Sequence, residues 1–319
     1  MAGEMTEPVL LPYSLVVGQR EIKKALELNF VAPGIGGVLI SGQRGTAKST
    51  TVRGFAVMMY GELPVTLPIN ATDDRVLGGW RLDELMRGEP HRQPGLLEEA
   101  GERGLLYIDE VNLLDDHVVN IILDVASTGV LTVQREGIDE RKELRFGLVG
   151  TMNPEEGWLR PQLLDRFGLM VKVRAEEDPE LRREILTTAL AMDQARHGVD
   201  PGLLADGRAG DAELRAELEA ARARLYDVAV SKDIARLCAD VAAAFQAAGH
   251  RGDVVLALAA RALAAREGAV GVGPAHVADA APMALRHRRG DSAQEGGTGW
   301  GQEEESRLAQ LVVEWRRSL

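Results

Sequence analysis

The chain has 319 residues, 45% of them apolar, and a net charge of −12. That length exceeds a typical single core and predicts two packed domains. The acidic balance argues against a surface that grips nucleic acid throughout. The single cysteine, Cys238, excludes an intramolecular disulfide framework, and no Cys/His cluster has zinc-like spacing, so a reducing cytosol is the expected compartment. The opening residues carry Glu4 and Glu7 beside a short apolar run, and no later window approaches a membrane-spanning length. Neither a leader nor a membrane span is expected.

Strand-like apolar runs fall at residues 37–41, 64–68, 105–109, 145–151 and 169–173, alternating with helical patterns. This is the signature of an α/β domain, a parallel five-stranded sheet covered by helices. Residues 130–144 read as a charged hairpin turning near Gly137, too charged to lie in the core and so expected to face a pore or a partner. After about residue 178 the strands stop. Helices are expected over 179–196, 211–226, 231–248, 253–266 and 274–288, with Ser231 as an N-cap and Gly249 just past a helix end. The basic run at 286–289 reads as a solvated helix end. The glycine-rich stretch 290–302 reads as a linker. Beyond it Leu308, Leu311, Val312 and Trp315 share one helical face, which should dock on the body or on a neighbour. The resulting division is an α/β nucleotide-binding domain at 1–197, a linking helical segment at 198–228, an all-helical lid at 229–289, and a linker with a C-terminal amphipathic helix at 290–319.

The stretch LISGQRGTAKST has the outline of a phosphate-cradling loop. Gly42, Gln43, Arg44, Gly45, Thr46, Ala47, Lys48, Ser49 and Thr50 are the candidate nucleotide-binding residues: backbone N–H groups surround the anion, Lys48 reaches the outer phosphates and the Ser49 hydroxyl holds magnesium. Ala47 stands where the usual pattern has glycine, which a negative φ would permit. The run GLLYIDEVN ends in two carboxylates. Asp109 is the candidate second partner of Mg²⁺, and Glu110 the group that orients an attacking water. Asn153, at the end of the next strand, can touch the γ-phosphate or the water. Arg166, about 13 residues farther on, leads away from the chain's own phosphates and reads as an arginine finger for a neighbouring subunit. Arg251 precedes a helix start, where a cation is unfavourable, and reads as a phosphate contact carried by a lid that folds over the site.

With these elements in this order, the chain resembles the AAA+ ATPases, and more closely the I subunits of magnesium chelatase. The resemblance is carried by VGQREIKKAL (17–26), LPINATDDRVLGG (67–79), the segments 94–129 and 150–169, and RGDVVLALAARALAA (251–265). It implies a hexameric ring ATPase using ATP and Mg²⁺. Its implied partners are a D subunit with an integrin-like domain and a large subunit that inserts metal into a porphyrin. Trp80 and Arg81 depart from the family's pattern, and the tail beyond 290 has no counterpart in it. Leu123, Asp124 and Val125 match a stretch suspected in the family of binding the integrin-like domain, although an ordinary amphipathic helix accounts for them. Two other readings stay open: a MoxR-like chaperone that remodels a von Willebrand-type partner, and an MCM-like nucleic-acid remodeller. The acidic charge and the core's start within about 20 residues of Met1 weigh against the latter.

Overall fold

The computed structural model describes residues 10–80, 92–135, 138–199, 202–289 and 300–317. In chain order the first part holds α1 (Arg20–Val31), β1 (Val38–Gly42), α2 (Lys48–Tyr60), β2 (Val65–Leu67), α3 (Asp73–Leu77), β3 (Gly78–Trp80), β4 (Arg92–Pro94), α4 (Leu96–Arg103) and β5 (Leu105–Ile108). It continues with α5 (Asp116–Thr128), β6 (Val130–Arg135), β7 (Ile138–Glu143), β8 (Gly147–Met152), α6 (Pro161–Leu164) and β9 (Leu169–Val173). The helical part holds α7 (Pro179–Arg196), α8 (Gly202–Ala223), α9 (Lys232–Ala244), α10 (Arg251–Arg266), α11 (Pro274–Leu285) and α12 (Gln302–Arg317).

Five strands form one sheet in the order β2-β5-β8-β1-β9, every neighbouring pair parallel. Each strand run expected from the sequence supplies one of them. All five residues of β1 are buried, because helices cover both faces of a parallel sheet. The period-two alternation of a strand then sorts its side chains. Val38 and Ile40 join a core with α1, α2 and the helices after α7, whereas Leu39 joins a second core with α4 and α5. The first core runs without a break into Val255, Leu256, Ala259 and Ala281 of the helical part. A chain of polar contacts reinforces that union: buried Tyr13 donates to buried Glu27 at 3.1 Å, and Glu27 pairs with Arg266 of α10 at 2.6 Å. The helical part therefore docks against the α1 side of the sheet, by the amino end of β1.

Several helix ends follow their sequence signals. Asp178 caps α7 by accepting from the N–H of Glu180 at 2.9 Å, and Ser231 caps α9 by accepting from that of Ile234 at 3.2 Å. Others move. α8 begins at Gly202 rather than 211 because Asp211 is occupied inside the helix, accepting from the backbone N–H groups of Tyr13 and Ser14 at 3.1 and 2.7 Å. α9 ends at Ala244, ahead of Gly249. The C-terminal helix docks on the body, with Leu308 and Val312 buried, Leu311 and Trp315 half-buried, and Arg289 paired to Glu304 at 2.8 Å. Most of the expected linker, residues 290–299, lies outside the described residues, as do Arg81 and the turn at Gly137.

The hairpin β6–β7 is antiparallel, with Val130 opposite Glu143. Leu131 and Val133 are buried, Arg141 and Glu143 are exposed, and Lys142 pairs with Glu98. A solvated end for the basic run at 286–289 is not what forms: Arg286, His287 and Arg288 are 5%, 3% and 2% exposed. Composition misjudges them because their partners are mainly backbone carbonyls, which leave no trace in the sequence.

Candidate active site

Strand register brings the candidate residues together. β5 and β8 pair Ile108 with Gly150, so the next residues, Asp109 and Thr151, emerge side by side; β1 and β8 pair Ser41 with Met152, so Gly42 emerges beside Asn153. Carboxyl ends of adjacent parallel strands are where such sheets bind ligands. There lies a cavity of about 270 Å³, lined by residues 44–50, Asp109, Glu110 and residues 151–153.

The loop between β1 and α2 wraps this cavity. Gly42 is obligatory, since a Cβ there would stand 2.4 Å from the carbonyl oxygen of Val173, and Gly45 sits at φ +77°. Gln43 donates from Nε2 to Glu155 at 3.1 Å. Thr46 is buried and donates from Oγ1 to the carbonyl of Gln43 at 2.8 Å. Lys48 Nζ donates to the carbonyls of Gly42 and Gln43 at 2.6 and 2.7 Å. Burial pushes its ammonium below the ordinary lysine value, and Asp109, then Glu110, oppose that shift.

Ala47 is a correction. Negative φ is the expectation there; the structure gives φ +58° and ψ +18°, left-handed, at the N-cap of α2. The chain must reverse hand there for the loop to enter the helix, and Ala47 is fixed in place by its carbonyl, which accepts from the N–H and the hydroxyl of Thr51 at 3.0 and 2.9 Å. A left-handed non-glycine residue costs about 1–2 kcal/mol. Glycine would return about 0.4–1 kcal/mol of that to the unfolded chain. Ala47→Gly is therefore expected to stabilise the fold by about 0.5–1 kcal/mol, raising the melting temperature by about 2 °C, and to tighten ATP binding. Calorimetry of both variants checks this, and a lower melting temperature for the glycine form would show that the strain is not relieved.

One network joins the second and third strand ends to α2. Asp109 Oδ1 accepts from Tyr107 at 2.8 Å and from Thr151 Oγ1 at 2.6 Å. Tyr107 lies 2.9 Å from Ser49 Oγ. Burial pushes the Tyr107 phenol up to about 12, so it keeps its proton and gives it to Asp109. The Ser49 hydroxyl must then donate to Tyr107. Thr151 Oγ1 also accepts from the backbone N–H of Glu110 at 3.1 Å, fixing Glu110 in a left-handed conformation, φ +57°. Such strain in a non-glycine residue marks a place the surroundings over-determine. The Glu110 carboxylate accepts from Arg44 at 3.2 Å, and Arg44 also binds Glu156. Asn153 is buried, and its side chain accepts from the N–H of Glu155 at 3.3 Å, so it forms a turn as well as facing the cavity. Tyr107 and Thr151 are the residues that sequence reasoning assigned no role. The aromatic two places before Asp109, on the same strand face, was the available signal.

Two candidates stand elsewhere. Arg166 donates to Asp124 on α5 at 2.6 Å and to the carbonyl of Asn120 at 3.4 Å. Arg251 is the first residue of α10, not a residue before it, and donates from Nη2 to the carbonyl of Arg166 at 2.7 Å. A Cβ on Gly36 would lie 3.5 Å from that Nη2. Gly36 precedes β1, whereas the phosphate loop follows it, and five strand residues separate the two ends by about 16 Å. The expectation that Arg251 rides a lid over its own site is thus corrected: the helical part docks at the far end of the sheet. Leu123 and Val125 are buried in the core, as an ordinary amphipathic helix requires.

Comparison with known proteins bears on this arrangement. The AAA domain (dynein-related subfamily) matches residues 37–167, and an AAA lid domain matches residues 235–310. The magnesium-chelatase 38 kDa subunit of Cereibacter sphaeroides is 43% identical over 321 aligned positions, covering 90% of this chain and 95% of that one. The chain belongs to the family of magnesium-chelatase I subunits. It is an AAA ATPase of that family, an α/β core followed by a helical lid. Magnesium-chelatase subunit ChlI of Synechocystis is 39% identical, covering 90% of each chain. An uncharacterised Mycobacterium tuberculosis protein, Rv2850c, is 46% identical over 87% of this chain but matches across only 44% of its own length. The crystal structure of a protein from Cytophaga hutchinsonii, 18% identical, shares the fold with a TM-score of 0.64, covering 96% of this chain and 91% of that one. Among the described residues, no helix of this family member is long and apolar enough to cross a membrane.

Proposed function

We propose that the chain is the ATP-hydrolysing motor subunit of a magnesium-chelatase-like complex, coupling hydrolysis to metal insertion into a tetrapyrrole. The observation that carries the first half is the convergence of Lys48, Ser49, Asp109, Glu110, Thr151 and Asn153 on one cavity. The second half rests on kinship with the 38 kDa subunit along nearly the whole chain.

The loop N–H groups and Lys48 bind the triphosphate, and Glu110 orients the water and accepts its proton. Hard oxygen donors suit Mg²⁺: Ser49 and Asp109, already linked through Tyr107, would hold it, and bound there it neutralises charge on the outer phosphates. Asn153 faces the cavity where it can touch the γ-phosphate. Arg166 lies on the opposite end of the sheet, so its positive charge serves the site of a neighbour in a ring, six-membered by family kinship. Arg251 shares that end and would reach the neighbour's nucleotide rather than its own. The ring's partners would be a D-type subunit with an integrin-like domain and a large metal-inserting subunit, in the cytoplasm.

Assembly is then a condition of hydrolysis. ATPase activity per subunit should fall on dilution below the association constant, and metalloporphyrin absorbance should appear only when both partner subunits are added. Constant specific activity down to demonstrable monomer would refute the shared site. Full ATPase activity with no metal insertion in the complete mixture would refute the chelatase assignment and leave the motor standing.

A further inference from the structure

The segment between α6 and β9, residues 165–168, carries Arg166, and its backbone has an uncommon environment. All four of its carbonyls accept hydrogen bonds from side chains of the helical part. Arg288 donates from Nη2 to the carbonyls of Asp165 and Phe167 at 2.9 and 2.6 Å, and from Nη1 to that of Gly168 at 2.9 Å. Arg251 donates to the carbonyl of Arg166 at 2.7 Å, and His287 Nε2 to that of Phe167 at 3.0 Å. Because a carbonyl only accepts, His287 carries its proton on Nε2; its Nδ1 is buried without a hydrogen-bond partner. Arg288 Nε adds a 3.0 Å bond to the Asp165 carboxylate. The Arg288 side chain is fully buried, and burial lowers it only to about 10, against the pull of Asp165, so it remains a cation at neutral pH.

From the other side, the N–H groups of Gly168 and Leu169 both donate to the carbonyl of Gly37. A Cβ on Gly168 would stand 2.0 Å from the carbonyl oxygen of Ile35, so the segment cannot shift toward β1. α6 is a single turn of four residues and cannot by itself fix the direction in which Arg166 leaves. The buried guanidinium supplies what that turn lacks, a rigid planar fork joined to several acceptors at once.

We propose that Arg288 is a positioning residue for hydrolysis: its buried fork clamps the backbone of residues 165–168 onto the helical part and so aims Arg166 at the adjoining subunit's nucleotide. Movement of α11 relative to the sheet is thereby transmitted to the neighbour's site rather than to the subunit's own. The inference rests on Arg166 acting across a subunit boundary.

Arg288→Lys tests it, because lysine keeps a cation beside Asp165 but cannot hold the three carbonyls in a plane. The expected result is unchanged ATP affinity at the variant's own site and an unchanged KM, with kcat lowered by about 10²-fold, the scale of a misplacement of about 1 Å. The decisive readout is mixing with Glu110→Gln, whose subunits bind ATP and offer an intact Arg166 but cannot hydrolyse. An equal mixture of two inactive proteins should regain activity at about a quarter of its interfaces, those where a Glu110→Gln subunit faces an Arg288→Lys site. Arg166→Ala mixed with Glu110→Gln is the control. Wild-type turnover by Arg288→Lys alone, loss of ATP binding at its own site, or an inactive mixture beside an active control would each overturn the clamp. An inactive control mixture would instead defeat the reading of Arg166 as a shared residue, and the clamp with it.

Discussion

Glu110→Gln is expected to bind ATP within about twofold of wild type, a difference of about 0.4 kcal/mol, while its turnover falls by about 10³. Glutamine keeps the shape and one acceptor oxygen, so the contact with Arg44 at 3.2 Å can persist. The backbone is held independently of the side chain, through the N–H of Glu110 to Thr151 at 3.1 Å, so the left-handed residue stays where it is. What disappears is the carboxylate's ability to take a proton from water. Single-turnover hydrolysis and a filter-binding assay separate the two effects: bound ATP should persist on the variant for as long as exchange allows. Turnover above about a tenth of wild type would move the role to Glu156, which also binds Arg44, and Glu156→Gln would then be the inactive protein.

The parts of this site legible in the sequence are those fixed by strand periodicity and by motifs within one strand-loop unit. β9 falls on the very residues its apolar run predicts, and Asp109, Glu110 and Asn153 emerge from strands that pair as the alternation of strand and helix implies. Three features were not legible, for different reasons. The φ of Ala47 is set by how the loop must turn into α2, and the identity of a small residue does not report it. The burial of His287 and Arg288 depends on carbonyls some 120 residues away, and that of Arg286 on the carbonyl of Pro282 and on Glu21; carbonyls are groups that every residue possesses and no pattern advertises. Where the helical part docks is decided by a shared core and by the Glu27–Arg266 pair, and a helix's periodicity says which face is apolar without saying what it meets. That last gap misassigned Arg251. An arginine at the start of a helix needs an acceptor, and here the acceptor is the carbonyl of Arg166.

Lys48→Ala should raise the dissociation constant for ATP by about 10³ or more, beyond the reach of titration calorimetry. The lysine Nζ now donates to the carbonyls of Gly42 and Gln43 at 2.6 and 2.7 Å, at the rim of the cavity, where outer phosphate oxygens can replace those acceptors. Two hydrogen bonds from a charged donor contribute about 1.5–3 kcal/mol each. Charge balance adds to the loss. Among the described residues the other cation lining the cavity is Arg44, already engaged by Glu110 and Glu156, so without Lys48 no free side-chain cation of the loop faces the triphosphate beside Asp109. The fold itself should hardly notice. Position 48 opens α2, alanine is the best helix former, and of the two carbonyls left behind that of Gln43 belongs to an exposed residue and can turn to water. Thermal melting with and without ATP makes the distinction: at 100 times its dissociation constant ATP should stabilise the wild type by about 2.7 kcal/mol and the variant not at all, with equal melting temperatures in its absence. A variant that ATP still stabilises would mean that the loop N–H groups suffice and that Lys48 serves only to hold the loop closed.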